Sequence, residues 1–265
     1  MGLAQRLTCK KETKMVKAIL HGACGRMGHM IADIVSRDAG IEIAAGIDAF
    51  GSSYADFPVY SSLDECKEEA DVIIDFSTAA AMEGLFAYSA ARAIPVVVCT
   101  TGLSEEQTAA MKQTSEKVAV LKSANMSLGI NLIQTILAEA APKLAAAGFD
   151  IEIVEKHHNQ KLDAPSGTAI ALADSINEAM DGAYDYVYDR STRREKRREK
   201  EIGISAVRGG TIVGDHDVIF AGEDEVITLS HRAYSRAVFG KGAVEAAKFL
   251  AGKPAGLYTM HDVLA

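Results

Sequence analysis

"VKAILHGACGRMG", Val16 to Gly28, is the stretch on which the fold turns. A short apolar run ends at a glycine, which is the length and flank of a buried strand. A helical pattern follows from about Arg26 to Arg37. Gly22, Gly25 and Gly28 lie at the junction, spaced GxxGxxG rather than GxGxxG. Strand, glycine turn and helix at the head of a βαβ unit form the setting in which a dinucleotide pyrophosphate meets backbone N–H groups. The positive end of a helix dipole adds to the attraction. A plain turn between strand and helix is the alternative.

The residues downstream favour the first reading. "IEIAAGID" (Ile41–Asp48) is a second strand and ends on a carboxylate 20 residues past Gly28. Such a carboxylate accepts hydrogen bonds from ribose hydroxyls and repels a 2′-phosphate. Ala49 and Phe50 supply no cation to offset that repulsion. NADH is therefore the expected cofactor, with NADPH as the second choice. "ADVIIDFS" (Ala70–Ser77), "IPVVVCTTG" (Ile94–Gly102) and "VAVLKSAN" (Val118–Asn125) continue the strand rhythm, the first two followed by Ala-rich helical segments. Strands alternating with helices imply a parallel sheet with right-handed crossovers. Ligands gather at the carboxyl edge of such a sheet. "CTTG" and "SANMS" fall there, so Cys99, Thr100, Thr101, Ser123, Ala124, Asn125 and Met126 are expected to line the nicotinamide side. Cys24 reads as a small residue that fits between glycines rather than as a redox centre.

The rhythm then changes. "LGINLIQTILAEAAPKLAAAG" (Leu128–Gly148) is a long helix that Pro142 is expected to kink or divide. "FDIEIVEKHH" is a strand, and a helix runs from about Gly167 to Met180. Three strands, "IGISAVRGG", "TIVGDHDVIFAG" and "EVITLSHRAY", are joined by short turns and suggest an antiparallel or mixed sheet. A last amphipathic helix, near Phe239 to Leu250, is placed to pack back on the first unit. The fold class is thus α/β: a Rossmann-type doubly wound parallel sheet plus a smaller α+β domain. The expected division is 15–125 plus 236–265 for the dinucleotide-binding domain and 126–235 for substrate binding and oligomerisation. Residues 1–14 read as a disordered extension, or as an over-long start. The run "RSTRREKRREKE" (Arg190–Glu201), with seven positive and three negative residues, reads as a solvated loop or exposed helix end, or else as a cover for an anionic ligand.

Bulk properties narrow the function. The 265 residues carry a net charge of -8, which argues against a general nucleic-acid partner. No long unbroken apolar run suggests a membrane span, and the first 14 residues lack the apolar core of a secretory signal. Cys9, Cys24, Cys66 and Cys99 show neither CxxC spacing nor histidine partners at zinc-finger distances, as suits reduced thiols in a cytoplasmic protein.

"EKHHNQKLDAPSGTA" (Glu155–Ala169) carries the chemistry. Pro165 and Ser166 read as the start of a helix, with Ser166 or Gly167 at the N-cap and the N–H groups of Gly167 and Thr168 open to an incoming carboxylate. Lys161 adds a full positive charge, and His157 and His158 supply imidazoles that titrate near neutrality. Asp163 either holds Lys161 or caps the turn. The segment reads as an anion and proton site. The competing readings are a charged structural turn and a metal site of Glu155, His157 and His158, whose spacing on a strand is poor for one tetrahedral ion.

The same stretch resembles the signature of the 4-hydroxy-tetrahydrodipicolinate reductase (dihydrodipicolinate reductase) family. So do "GACGRMG", "DFS", "CTTG", "SANMSLGIN", "SAVRGGTIVGDH" and "GLYTMHDVL", a likeness covering nearly the whole chain from Met15. The resemblance implies a homotetramer joined through its C-terminal sheets, a small dicarboxylate substrate, and hydride transfer from a reduced nicotinamide cofactor to C4 of a cyclic imine with loss of water, on the way to diaminopimelate and lysine. It also implies roles by position. His157 matches the acid/base residue, Lys161 the proton donor and His158 a substrate contact. Gly167 and Thr168, beside Ser166, match the carboxylate-binding backbone. Gly22, Ala23, Cys24, Gly25, Arg26 and Met27 match the pyrophosphate loop, and Asp48 the ribose carboxylate. No metal is implied. Two residues depart from the family pattern: Ala49, where arginine often serves the phosphorylated cofactor, and Cys99, where glycine is common. Another two-domain nicotinamide dehydrogenase, or a non-catalytic dinucleotide sensor, would share the N-terminal half but has no use for the histidine–lysine segment.

Overall fold

The computed structural model describes residues 15–188, 190–191 and 193–265; the expected extension at 1–14 lies outside the described residues. Among them, the chain runs β1 (Val16–His21), α1 (Arg26–Val35), β2 (Ile41–Ile47), β3 (Val59–Tyr60), β4 (Val72–Asp75), α2 (Met82–Arg92), β5 (Val96–Val98), α3 (Glu105–Ser115), β6 (Ala119–Lys122) and α4 (Leu128–Ala146). It continues through β7 (Asp150–His157), α5 (Gly167–Glu178), β8 (Asp185–Val187), β9 (Glu201–Arg208), β10 (Gly214–Ala221), β11 (Val226–Ala233), α6 (Ala237–Leu250), β12 (Gly256–Tyr258) and α7 (Met260–Leu264).

One sheet has the order β12-β6-β5-β4-β1-β2-β3, with every pairing parallel. Its residues alternate between two cores. Ala18, Leu20, Val72 and Ile74 face α1 and α6, meeting Ile31, Val244, Ala247 and Leu250; Ile19, Ile73 and Val120 meet Leu85, Phe86 and Met111 on the other face. Each fully buried Leu, Ile or Val side chain among them contributes roughly 1.5–3 kcal/mol. The short β3 and β12 extend the sheet beyond the five strands readable in the sequence, because two- and three-residue strands leave no periodic pattern.

The second sheet is mixed, in the order β11-β10-β7-β9-β8. β10 pairs antiparallel with both β11 and β7, while β9 lies parallel to β7 across the α5 connection. Ile151, Ile153, Ile202, Ile204, Val218 and Phe220 pack against α4 and α5 through Leu137, Leu172 and Ile176. The expected two-sheet α/β architecture is therefore present.

Pro142 does not divide α4, which runs unbroken through it with Leu137 and Ala141 completely buried in the preceding turn, so packing outweighs the one lost backbone hydrogen bond. The basic run is not simply solvated. Arg190 bonds Glu201 at 2.6 Å and Glu152 at 2.9 Å, and Arg197 bonds Asp150 at 2.7 Å and Glu152 at 3.1 Å. Arg190 and Arg197 fold back on the acidic start of β7, which sequence spacing does not reveal. No described helix is long and apolar enough to cross a membrane.

Candidate active site

The glycine loop closes on the end of β2. Gly22 and Ala23 donate to the Ile47 carbonyl, and Cys24 N–H donates to Asp48 Oδ2 at 3.0 Å. Gly22 has φ +80°, and a Cβ there would lie 2.6 Å from the Phe76 carbonyl oxygen; one at Gly28 would lie 2.1 Å from that of Ala23. Only glycine fits either position. Gly25 is the N-cap of α1 and no side chain caps the helix, so the N–H groups of its first turn are open to water or an anion. These features suit a pyrophosphate: a bare backbone cradle with a positive helix end. The Cys24 thiol is pushed up by burial and then by Asp48, which keeps it neutral.

Asp48 also accepts from Phe50 N–H, at 3.2 Å. It thus braces the loop with both oxygens while keeping lone pairs for further donors. Gly22, Gly25 and Asp48 line one cavity of about 480 Å³ with His21, Phe76 and Ser77. Ala23 is fully buried and offers only backbone. Cys24 and Arg26 flank the loop without lining this cavity.

A second cavity, about 550 Å³, opens at the carboxyl edge of β5 and β6. Met27, Cys99, Thr101, Ser123, Ala124, Asn125, Met126 and Thr168 all line it, and Asn125 Nδ2 donates to Thr168 Oγ1 at 2.9 Å. The structure thus brings the loops of the parallel sheet to the start of α5. Thr100 is buried beneath them and offers its carbonyl to Lys122 Nζ at 2.6 Å. Burial raises the Cys99 thiol well above its ordinary range and lowers Lys122.

Lys122 and the exposed Arg236 line this cavity and were not anticipated. A lone lysine closing an apolar strand was the available signal for the first. Arg236 comes from the return of the chain and had none. Also unanticipated is the buried His21–Asp75 pair, 2.9 Å apart, beneath the glycine loop. Burial raises the Asp75 carboxyl, but the hydrogen bonds of His21 and Ser77 hold it below its ordinary value.

The histidine–lysine segment starts at the end of β7. Along that strand Ile151, Ile153, Glu155 and His157 point inward, so a carboxylate and an imidazole continue the core face. His157 Nδ1 lies 2.6 Å from Glu155 Oε2. Burial lowers the imidazole's proton affinity, more than Glu155 raises it. His158 follows the last residue of the strand, and its Nδ1 is buried without a hydrogen-bond partner. Lys161 Nζ pairs with Asp163 at 2.8 Å, one of the two arrangements expected.

Ser166 is the N-cap of α5: its Oγ accepts from Ala169 N–H at 3.1 Å and lies 3.0 Å from His216 Nε2. Its own N–H donates to Glu155. Ser166, expected as a substrate contact, is buried with its hydroxyl and N–H engaged by these partners, while Gly167 beside it is exposed. Of the whole segment, Thr168 lines the second cavity, whereas His157 and Lys161 do not. Among the described residues no group of three or more His, Cys, Asp or Glu is placed to hold a metal ion.

Residues 16–126 match the family model for the N-terminus of dihydrodipicolinate reductase, and residues 129–264 match that for its C-terminus. The chain belongs to the dihydrodipicolinate reductase family. A curated 4-hydroxy-tetrahydrodipicolinate reductase of Caldanaerobacter subterraneus subsp. tengcongensis is 54% identical over 250 residues, covering 94% of this chain and 98% of that one. One from Clostridium novyi is 49% identical with the same coverage. Among solved structures, dipicolinate-bound dihydrodipicolinate reductase from Paenisporosarcina sp. TG-14 superposes with a TM-score of 0.77 at 26% identity, over 95% of this chain and 100% of that one. A myo-inositol dehydrogenase from Corynebacterium glutamicum, at 14% identity and a TM-score of 0.53 over 94% and 92% of the two chains, shares the fold alone.

Proposed function

We infer that this chain is a 4-hydroxy-tetrahydrodipicolinate reductase. It reduces 4-hydroxy-tetrahydrodipicolinate to tetrahydrodipicolinate, consuming one proton and releasing one water, in diaminopimelate and lysine biosynthesis. The observation that carries the reading is the cavity where the carboxyl-edge loops of a dinucleotide-type sheet meet the α5 N-terminus, in a chain 54% identical to a reductase of that name along nearly its full length.

The residues divide the work. The backbone from Gly22 to Met27 and Asp48 hold the dinucleotide, and Cys99 to Thr101 and Ser123 to Met126 flank its nicotinamide end. When bound, the reduced cofactor supplies the hydride. Gly167 and Thr168 N–H groups and the Lys161 ammonium hold a substrate carboxylate, and His158 contacts the substrate. His157 and Lys161 deliver the proton as the ring becomes electron-rich; a positioned acid is worth about 100- to 10,000-fold in rate. Lys122 and Arg236 add positive potential that suits a dianion. For His157 and Lys161 to reach the cavity, the two domains, 15–125 with 236–265 and 126–235, close about the connections near Asn125 to Ser127 and Tyr234 to Phe239.

NADH is the preferred cofactor because the Asp48 carboxylate, with Ala49 beside it, repels a 2′-phosphate. The chain assembles as a homotetramer through the outer face of its mixed sheet, where Val207, Val226 and Ile227 are exposed, and works in the cytoplasm. The test is an assay coupled to the synthase that joins pyruvate and aspartate semialdehyde, read at the nicotinamide absorbance with each cofactor in turn. Oxidation that depends on the synthase, faster with NADH at limiting concentration, is expected. Oxidation independent of the synthase, or none with either cofactor, overturns the assignment.

A further inference from the structure

No step above uses Glu155, yet its side chain is completely buried and collects four donors. Arg208 Nη1 reaches Oε2 at 2.7 Å and Nη2 reaches Oε1 at 2.6 Å. His157 Nδ1 lies 2.6 Å from Oε2, and Ser166 N–H donates to Oε1 at 3.0 Å. A buried carboxylate is costly unless paired and fully hydrogen-bonded, and this one is both. The strand register builds the cluster: Arg208 lies opposite His157 on β9, and His216 lies opposite Glu155 on β10. The ring of His216 meets that of His157 edge-on with centroids 5.2 Å apart, and its Nε2 reaches Ser166 Oγ.

Two of the four donors belong to the proposed machinery. One is the acid itself; the other is the residue that opens α5 and presents Gly167 and Thr168. We propose that Glu155, clamped by Arg208, is a positioning residue: it fixes His157 with Nδ1 held inward and Nε2 left to carry the exchanged proton, and it ties that acid to the carboxylate cradle as one rigid unit. This rests on the reading of His157 as the acid.

The charges around His157 give the proposal a signature. From β9 it faces Arg208, from β10 His216, and from the loop before α5 Lys161, itself paired with Asp163. Burial, Arg208 and Lys161 all oppose the imidazolium, while Glu155 favours it. Removing the carboxylate must therefore lower the pH above which His157 is deprotonated. The kcat/KM profile reports ionisations of the free enzyme, and so reads this shift directly.

The experiment uses the full chain and four variants: Glu155→Gln, Glu155→Asp, Glu155→Gln with Arg208→Met, and His157→Gln. Glu155→Gln is expected to lower kcat at least ~10-fold, a part of what a positioned acid supplies. It should also shift the decline of kcat/KM to lower pH and leave cofactor affinity unchanged. Glu155→Asp keeps the charge and should restore the profile. The double variant removes the guanidinium that the single one strands, and its defect should persist. Nitrogen-15 spectra of the neutral wild-type His157 ring should show its one proton on Nδ1; a neutral ring protonated on Nε2 instead overturns the proposal whatever the variants do. If His157→Gln is unimpaired, the acid reading fails. If it is impaired while Glu155→Gln keeps the wild-type profile, or while the double variant regains wild-type activity, only the positioning role fails.

Discussion

His157 shows how one side chain takes its character from neighbours distant in sequence. Its imidazole is buried, held by Glu155 on its own strand, and opposed by cations from another strand and a loop. Replacing it by glutamine, or Lys161 by alanine, is expected to lower turnover by about 100- to 10,000-fold with cofactor affinity nearly unchanged, measured by steady-state kinetics and cofactor titration. His216 makes the same physics visible in stability. Burial, and then the nearby His157, push its pKa down to about 4 from 6.5. The unfolded chain therefore takes up a proton near pH 6.5 while the folded one resists until about pH 4. Stability is full above 6.5 and falls as the pH drops towards 4, by about 3 kcal/mol in all. Urea midpoints near neutrality and near pH 5 should show the decline, and His216→Gln should flatten it.

At the scale of elements, most of the site was legible because it sits where elements begin and end. Gly22, Gly25 and Gly28 mark the junction of β1 and α1, and the Pro-Ser-Gly-Thr sequence marks the start of α5 one residue earlier than the latest N-cap expected. The close packing of α1 against its own loop gives a direct check. Gly28→Ala places a methyl group 2.1 Å from the Ala23 carbonyl, so helix and loop must part. A cost of about 1–3 kcal/mol is expected from such overpacking, with weaker dinucleotide binding. Thermal unfolding together with cofactor titration measures both; unchanged values would mean that α1 does not need this contact. What was not legible at this scale was ion pairing across elements. The basic run appeared free because its acidic partners, Asp150 and Glu152, are about forty residues away in sequence.

The whole molecule is shaped by a return. After the mixed sheet the chain comes back as α6, β12 and α7, and Val244, Ala247 and Leu250 complete the core over β1 and β4 while β12 adds an edge strand beside β6. A chain ending before α6 would leave Ala18, Leu20 and Ile31 uncovered. It is expected to fail to form a compact first domain, seen as insolubility or strong binding of a hydrophobic dye; a soluble, cofactor-binding fragment would contradict this. The return also delivers Arg236 to the second cavity.

By itself the sequence determined the strand and helix alternation, the glycine loop, the carboxylate after β2 and the histidine–lysine segment, because each is a local pattern of spacing and residue type. Only the tertiary structure decided which polar groups meet. It joined Asn125 to Thr168, placed Lys122 and Arg236 in the cavity, and surrounded Glu155 with Arg208, His157 and Ser166. Those encounters depend on sheet register and on the packing of distant elements, and no short-range periodicity encodes them.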